Sequence, residues 1–335
     1  MFKEGYKFYQ ESLTDSIEKN YYQEIYLALK SRNSFLNVAQ SKISTERLLD
    51  IVKYVYFDNP SFFYVDPYLC QYDLQKENLI FHYIYDEKET ADYENQVIKE
   101  IEPILNKNTN NYQHILDDYH FLVQKYSYKF LEEKEHFENT YDMISIFKKQ
   151  SEECNGLAIL FKLLCDYQNI PCFMVLGYLK STGKYHTWNM VKYENNFYHL
   201  DVTRGIFEKD GGGKFGIYTH FMVNDQWIKK DRDISSNCHY PLSTTEIDNL
   251  FFEKNHLVIS SLDQLKDYFY QELPKSTSEI AVYIKSEKNI SSMLIQRELS
   301  QILASFKNEH PEFKKTVNVL TRGNQYNIVR VLIGE

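Results

Sequence analysis

The feature that most restricts how this chain can fold is a change of hydrophobic period between about residues 150 and 205. Apolar side chains follow Cys154 at the three- and four-residue spacing of a helix, and the segment at Pro171 ends that helix. Three β-rich segments then follow, each separated from the next by a short turn: residues 172–178, 185–193 and 197–203. Because strands joined by such short turns pair antiparallel, the pattern predicts one helix packed on an antiparallel sheet.

The regions on either side show different patterns. Residues 1–105 are mostly helical in period, with a break expected at Pro103 and short β-rich runs at 62–65 and 79–85. The last part of the chain has the order β-α-β-α-β-β, with a capping box predicted from Ser261 to Gln264. Since 335 residues usually exceed a single core, we expect an α+β protein of three units. The units are a mostly helical region over 1–105, a central domain over 106–245 and a small α+β domain over 246–335.

Composition narrows the classes of function. The net charge of −9 opposes binding to a phosphate backbone, so nucleic acid is not an expected partner. No apolar run reaches the roughly 18–20 residues of a membrane span, and the first residues lack the pattern of a secretory signal. We therefore expect no membrane partner and a cytoplasmic location. The five cysteines include no Cys-x-x-Cys pair, so neither a disulfide framework nor a zinc site is predicted, and no metal or cofactor is expected.

Three residues of the central segment are of the types that acyl transfer needs. Cys154 begins the predicted helix, where free N–H groups and the helix dipole stabilise a thiolate. His186 starts the second predicted strand, and Asp201 lies near the end of the third. Because a histidine can take the thiol proton and a carboxylate can orient the imidazole, these residues are predicted to form a catalytic triad.

The residues around the three form blocks in a fixed order. The blocks are Cys154-Asn155-Gly156-Leu157-Ala158, His186-Thr187-Trp188-Asn189 and His199-Leu200-Asp201-Val202-Thr203. This series resembles the helix start and the two strands that carry the active site of the transglutaminase-like superfamily, a group of papain-fold cysteine enzymes. The resemblance is clear over about residues 110–240. It implies a papain-like α+β core, with Cys154 as the nucleophile, His186 as the base and Asp201 as the orienting acid.

Three further residues are predicted to belong to the same site. Gln150, just before the nucleophile, is a candidate second oxyanion donor beside the backbone N–H of Cys154, with a surface glutamine as the alternative. Trp188 shares a strand face with His186, where it could shield the imidazole, line the acyl groove or simply pack in the core. Tyr141 lies upstream of the nucleophile block, adds to the resemblance and is a candidate substrate-binding residue.

The resemblance implies a thiol-dependent enzyme whose partner is a peptide or protein substrate. Hydrolysis or transfer to an amine would follow attack on an amide bond, and a transglutaminase-like protease is the first choice. Two alternatives stay open: a catalytically silent binding module of the same fold, and an acyltransferase similar to the arylamine N-acetyltransferases. The sequence has no dense acidic loop, so calcium dependence is not expected. The flanking units are expected to be regulatory or to position substrate.

The triad also makes a demand on strand register. Side chains alternate between the two faces of a strand, so His186 and Asp201 can meet only if the pairing of their strands places them on one face. Pairing Tyr193 with Phe197 would turn Asp201 away from the histidine. Pairing Lys192 with Phe197 makes Asp201 a diagonal neighbour of His186, about 7–8 Å away at the backbone, within reach of a hydrogen bond. We therefore predict that Lys192 pairs with Phe197.

Overall fold

The computed structural model describes residues 2–39, 41–105, 110–127, 143–149, 154–210, 214–236, 240–276, 278–285, 290–320 and 326–334. The fold is mixed α+β, with an antiparallel central sheet, as the sequence predicts. The helices are α1 Phe8–Ser12, α2 Ser16–Lys30, α3 Thr45–Asp58, α4 Glu87–Leu105, α5 Asn111–Lys125, α6 Met143–Lys149, α7 Cys154–Tyr167, α8 Val202–Asp210, α9 Asp225–Ile228, α10 Leu250–Lys254, α11 Asp263–Glu272 and α12 Ser292–Glu309. None of them is both long and apolar enough to cross a membrane.

Among the described residues the strands form three sheets. The strands are β1 Phe35–Asn37, β2 Gln71–Asp73, β3 Asn78–Ile80, β4 Cys172–Leu179, β5 Tyr185–Tyr193, β6 Asn196–Leu200, β7 Arg232–Ile234, β8 Val258–Ile259, β9 Glu279–Ile284, β10 Thr316–Leu320 and β11 Ile328–Gly334. The sheet orders are β1-β3-β2, β6-β5-β4-β7 and β10-β11-β9-β8. The middle sheet is antiparallel throughout and packs against α7, as the sequence predicts.

The first 105 residues are mostly helical, and two of the expected details are wrong. Residues 62–65 were expected to form a strand, but a 3₁₀ helix occupies Pro60–Phe62 and only Val65 makes a single bridge. The expected break at Pro103 does not occur, because the proline lies in the last turn of α4 and removes only one backbone bond there. Side-chain caps fix the starts of two helices, since Asp15 accepts from Ile17 and Ser44 accepts from Arg47.

The helical region and the central sheet share one hydrophobic core. The ring of Phe8 stacks on Phe173 of β4 with centroids 3.8 Å apart. The hydroxyl of Tyr9 donates to the carbonyl oxygen of Met174 over 2.8 Å. Residues before 105 therefore cover one side of the sheet that carries His186.

The predicted register of the second and third strands is confirmed, because Lys192 pairs with Phe197. The turn between them is tight, and its first residue, Glu194, has a φ of 53°. The third strand ends earlier than expected, at Leu200 rather than at residue 203. The reason is local: Asp201 accepts the N–H of Arg204 through Oδ1, at 2.9 Å, and so caps helix α8.

The C-terminal residues have the predicted element order within the described ranges. Helices α11 and α12 pack on one face of the last sheet around a second apolar cluster that includes Leu265, Phe269 and Leu299. The predicted capping box is wrong, because the side chain of Gln264 accepts from the backbone N–H of Ser260, at 2.8 Å. The hairpin turn expected at 322–324 and the loop at 211–213 lie outside the described residues.

Candidate active site

The first residue of α7 is Cys154, and its side chain is partly exposed while the rest of the helix is almost wholly buried. Two side chains of β5 attach this helix start to the sheet. Thr187 donates to the side-chain oxygen of Asn155 over 2.5 Å, and Asn189 donates to the carbonyl oxygen of Ala158 over 2.9 Å. The thiol is thus fixed beside the strand that carries the histidine, at a helix end whose free N–H groups favour an anion.

The imidazole of His186 is buried and contacts both of the other predicted triad residues. Its Nε2 lies 2.7 Å from Oδ2 of Asp201, and the ring also hydrogen-bonds the thiol of Cys154. Since Nε2 is engaged by the carboxylate, Nδ1 is the nitrogen that serves the thiol. Burial opposes the charge, but the Asp201 carboxylate and the thiol together raise the pKa of His186 to about 9. The arrangement therefore favours an imidazolium beside the sulfur.

The carboxylate of Asp201 is inaccessible to solvent and accepts three hydrogen bonds. Oδ2 accepts from His186 and from Nη2 of Arg232, the latter at 2.8 Å, and Oδ1 accepts from the N–H of Arg204. Burial opposes ionisation, but His186, Arg232 and His220 hold the pKa of Asp201 well below its usual value. The acid is thus ionised and fixed in orientation. Sequence patterns gave no sign of Arg232, which lies in the charged run 229–233.

Trp188 lies behind the imidazole. Its ring stacks on His186 with centroids 6.0 Å apart and an interplanar angle of 21°, and only 1% of the residue is exposed. The indole N–H donates to Nδ1 of His199 over 3.0 Å, and Nε2 of His199 lies 3.0 Å from Asp225. Trp188 therefore covers one face of the imidazole rather than lining an open acyl groove. His199 is a buried strand histidine with both ring nitrogens bonded.

An exposed aromatic rim, formed by Tyr68, Tyr178 and Tyr185, lies beside the thiol. Their exposed fractions are 37%, 46% and 40%. Tyr178 and Tyr185 meet edge to face with centroids 6.0 Å apart, and Tyr68 hydrogen-bonds Tyr185. Burial, with a smaller contribution from the nearby Cys154, raises the pKa of Tyr185 to about 12. Of these tyrosines, only Tyr185 could have been found from the sequence, because it directly precedes His186. Tyr68 comes from the N-terminal region, and its hydroxyl lies 3.5 Å from the side-chain nitrogen of Asn155.

Gln150 and Tyr141, the other two predicted site residues, lie outside the described residues. Among the side chains that the structure describes, no group of three or more histidine, cysteine, aspartate or glutamate residues could hold a metal ion.

Comparison with known families agrees with the resemblance seen in the sequence. The model of the transglutaminase-like superfamily matches residues 99–202, a span that contains Cys154, His186 and Asp201. Residues 99–202 of this chain are therefore similar to the transglutaminase-like superfamily. A search of curated proteins finds no match.

Three solved structures are similar to parts of the chain. A candidate cysteine protease from Cytophaga hutchinsonii is 19% identical over 35% of this chain, with a TM-score of 0.27. A TGase is 13% identical over 54% of this chain, with a TM-score of 0.30. Menin, whose crystal structure revealed its binding site for the MLL protein, is 12% identical over 88% of this chain, also with a TM-score of 0.30. The matches span 38%, 48% and 65% of those three proteins. TM-scores of this size indicate little shared overall geometry.

Proposed function

We propose that this protein is a thiol-dependent acyl-transfer enzyme that cleaves peptide or protein amide bonds through Cys154, His186 and Asp201. The observation that carries the proposal is the imidazole of His186, which bonds Asp201 through Nε2 at 2.7 Å and also bonds the thiol at the start of α7. A nucleophile, a base and a group that orients the base are the parts that covalent acyl transfer requires.

Each part has a defined task in the proposed reaction. His186 takes the thiol proton, and the thiolate attacks the carbonyl carbon of the substrate. The carbonyl oxygen becomes an oxyanion, which the backbone N–H of Cys154 at the helix start stabilises. The C–N bond then breaks as His186 gives its proton to the departing amine. The acyl group stays on sulfur until water or another amine, deprotonated by His186, attacks it and restores the thiol.

We propose hydrolysis as the second step, which makes the protein a transglutaminase-like protease. The aromatic rim of Tyr68, Tyr178 and Tyr185 offers flat apolar surface with hydroxyl groups next to the thiol, a surface suited to a peptide side chain beside the scissile bond. Trp188 supports catalysis from the other side, because its ring keeps water from one face of the imidazole.

We further propose that the protein acts in the cytoplasm. The described cysteines, Cys70, Cys154, Cys165 and Cys172, are free, and free thiols suit a reducing compartment.

The test is to trap the acyl-enzyme. Incubation with a peptide library at low temperature, followed by mass mapping, should find an acyl adduct on Cys154 and none on the buried Cys70, Cys165 or Cys172, which serve as internal controls. Cys154→Ala should fold normally and lose all turnover, because nucleophilic catalysis has no substitute. Peptide binding without any adduct or cleavage would instead identify a binding module, and full turnover by Cys154→Ala would refute the proposal.

A further inference from the structure

A chain of buried and partly buried polar side chains joins the C-terminal residues to the carboxylate of Asp201. Its members, from the outside inward, are Tyr326, His220, Asp231 and Arg232. Tyr326 lies two residues before β11 of the last sheet, whereas the other members belong to the region around the central sheet. The chain is therefore a direct physical connection between the two units.

The inner end of the chain is the guanidinium of Arg232, which bridges two carboxylates. Nη2 donates to Oδ2 of Asp201 over 2.8 Å, and Nη1 lies 2.9 Å from Oδ2 of Asp231. Only 3% of Arg232 is exposed, so both ion pairs are screened little by solvent. A planar guanidinium with two separate donor nitrogens fixes the direction as well as the charge of each pair.

The outer end of the chain holds Asp231. Nε2 of His220 lies 3.1 Å from each carboxylate oxygen of Asp231, and the hydroxyl of Tyr326 hydrogen-bonds the same carboxylate. The ring of Tyr326 also stacks on Trp227 with centroids 4.9 Å apart. The carbonyl oxygen of His220 accepts a hydrogen bond from the backbone N–H of Asp201 over 2.9 Å. His220 therefore contacts Asp231 through its side chain and Asp201 through its backbone.

We propose that Arg232 is a positioning residue for the triad and that Tyr326, from the C-terminal unit, keeps it in place through Asp231. The proposal rests on the proposed function, in which Asp201 orients His186. A carboxylate removed from solvent stays ionised and correctly turned only if donors surround it. Three groups donate to Asp201: the imidazole of His186, the guanidinium of Arg232 and the backbone N–H of Arg204. Since Asp201 has to orient His186, Arg232 is the one remaining side chain among these donors that can hold the carboxylate in place. The C-terminal unit is thus part of the catalytic architecture and not an appended regulator.

The groups that face Asp201 determine the sign of the expected effect. They are His186 on β5, Arg232 on β7, His220 in the 3₁₀ segment Gly216–His220, Arg204 on α8 and Tyr119 on α5. If Asp201 kept its place without Arg232, the loss of a nearby positive charge would stabilise the imidazolium and speed the alkylation of Cys154 at low pH. If Asp201 needs Arg232, the carboxylate turns or takes a proton, and the alkylation of Cys154 becomes slower. Positioning and simple charge therefore predict opposite changes.

The experiment measures the rate at which iodoacetamide alkylates Cys154 in the full-length protein, as a function of pH, by mass spectrometry. At about pH 6, Arg232→Met should react about tenfold more slowly than the wild type, a typical loss for a residue that orients a reacting group. Arg232→Lys keeps the charge but offers a single nitrogen, so it should recover only part of that loss. Tyr326→Phe keeps the ring on Trp227 and removes one hydrogen bond, and its rate should fall about fivefold.

Tyr283→Phe is the matched control. Tyr283 also lies in the C-terminal unit, donates to Asp248 over 2.6 Å and packs on Trp227, yet has no link to Arg232. Its rate and pH profile should equal those of the wild type. The positioning role would be overturned if folded Arg232→Met reacted at or above the wild-type rate. It would also be overturned if Tyr326→Phe and Tyr283→Phe reacted at equal rates; neither outcome would by itself refute the proposed function. A wild-type Cys154 that reacts no faster at about pH 6 than an ordinary thiol would overturn the proposed function as well.

Discussion

Replacing Asp201 with asparagine is the most direct probe of the triad, because the change alters charge and hydrogen bonding but hardly alters volume. Three N–H groups donate to this carboxylate: Nε2 of His186, Nη2 of Arg232 and the backbone N–H of Arg204. Asparagine has one accepting oxygen. Its amide nitrogen must therefore face at least one donor, so asparagine cannot reproduce the native arrangement in this site.

The size of the effect follows from the charge that Asp201 stabilises. Burial opposes protonation of His186, yet its contacts with Asp201 and Cys154 raise its pKa from the ordinary 6.5 to about 9, which is worth about 3 kcal/mol in favour of the imidazolium. Without a carboxylate that stabilises the imidazolium and holds it toward the sulfur, the rate of Cys154 alkylation at about pH 6 should fall toward that of an ordinary thiol. Turnover of a peptide should fall by about 10² to 10⁴, since a misplaced tautomer adds to the loss of charge.

The matched control is Asp225→Asn, which alters the neighbouring histidine–aspartate pair. Asp225 lies 3.0 Å from Nε2 of His199, a residue of β6 two positions before Asp201, and its other hydrogen bonds are to Lys229 and Ser243 rather than to the triad. Its alkylation rate should stay within about twofold of the wild type. A wild-type rate for Asp201→Asn, or an equal loss in the two variants, would show that a group other than Asp201 orients His186.

Three further predictions concern stability. Because the folded-state pKa of His186, about 9, lies above the ordinary 6.5, its charge-dependent contribution to stability should be full below about pH 6.5 and be lost as the pH rises through 9. Thermal melts of the wild type and His186→Ala at several pH values measure it, and a stability gap that widens with pH would contradict it. Lys162→Met leaves the buried Asp166 without its partner 2.8 Å away and should cost about 3–5 kcal/mol in urea unfolding. Lys229→Met, in a pair of the same spacing whose lysine is exposed, should cost under about 1 kcal/mol. A chain starting at residue 106 loses the contacts of Phe8 and Tyr9 with β4 and should not melt cooperatively; a folded, active truncation would refute this.

The sequence alone identified the helix of Cys154, the three central strands and the register between β5 and β6. These features depend on local information: apolar spacing defines the helix, turn residues separate the strands, and the parity of side chains along a strand allows few pairings. His186 and Asp201 are 15 residues apart, on neighbouring segments, so the same parity argument brought them together. The parity argument did not predict that Asp201 lies just after the end of β6 and caps α8, because capping depends on where the next helix begins.

Only the tertiary structure revealed the groups that surround the predicted triad. Arg232 stands in a charged run that usually indicates a solvated surface, yet packing of β7 on β4 buries it 31 residues beyond its partner Asp201. Tyr68 reaches Asn155 across 87 residues, and Tyr326 reaches His220 across 106. None of these side chains has a local pattern that sets it apart from an ordinary arginine or tyrosine. Their positions follow from how the units pack, and that packing minimises the free energy of the whole chain rather than of any one segment.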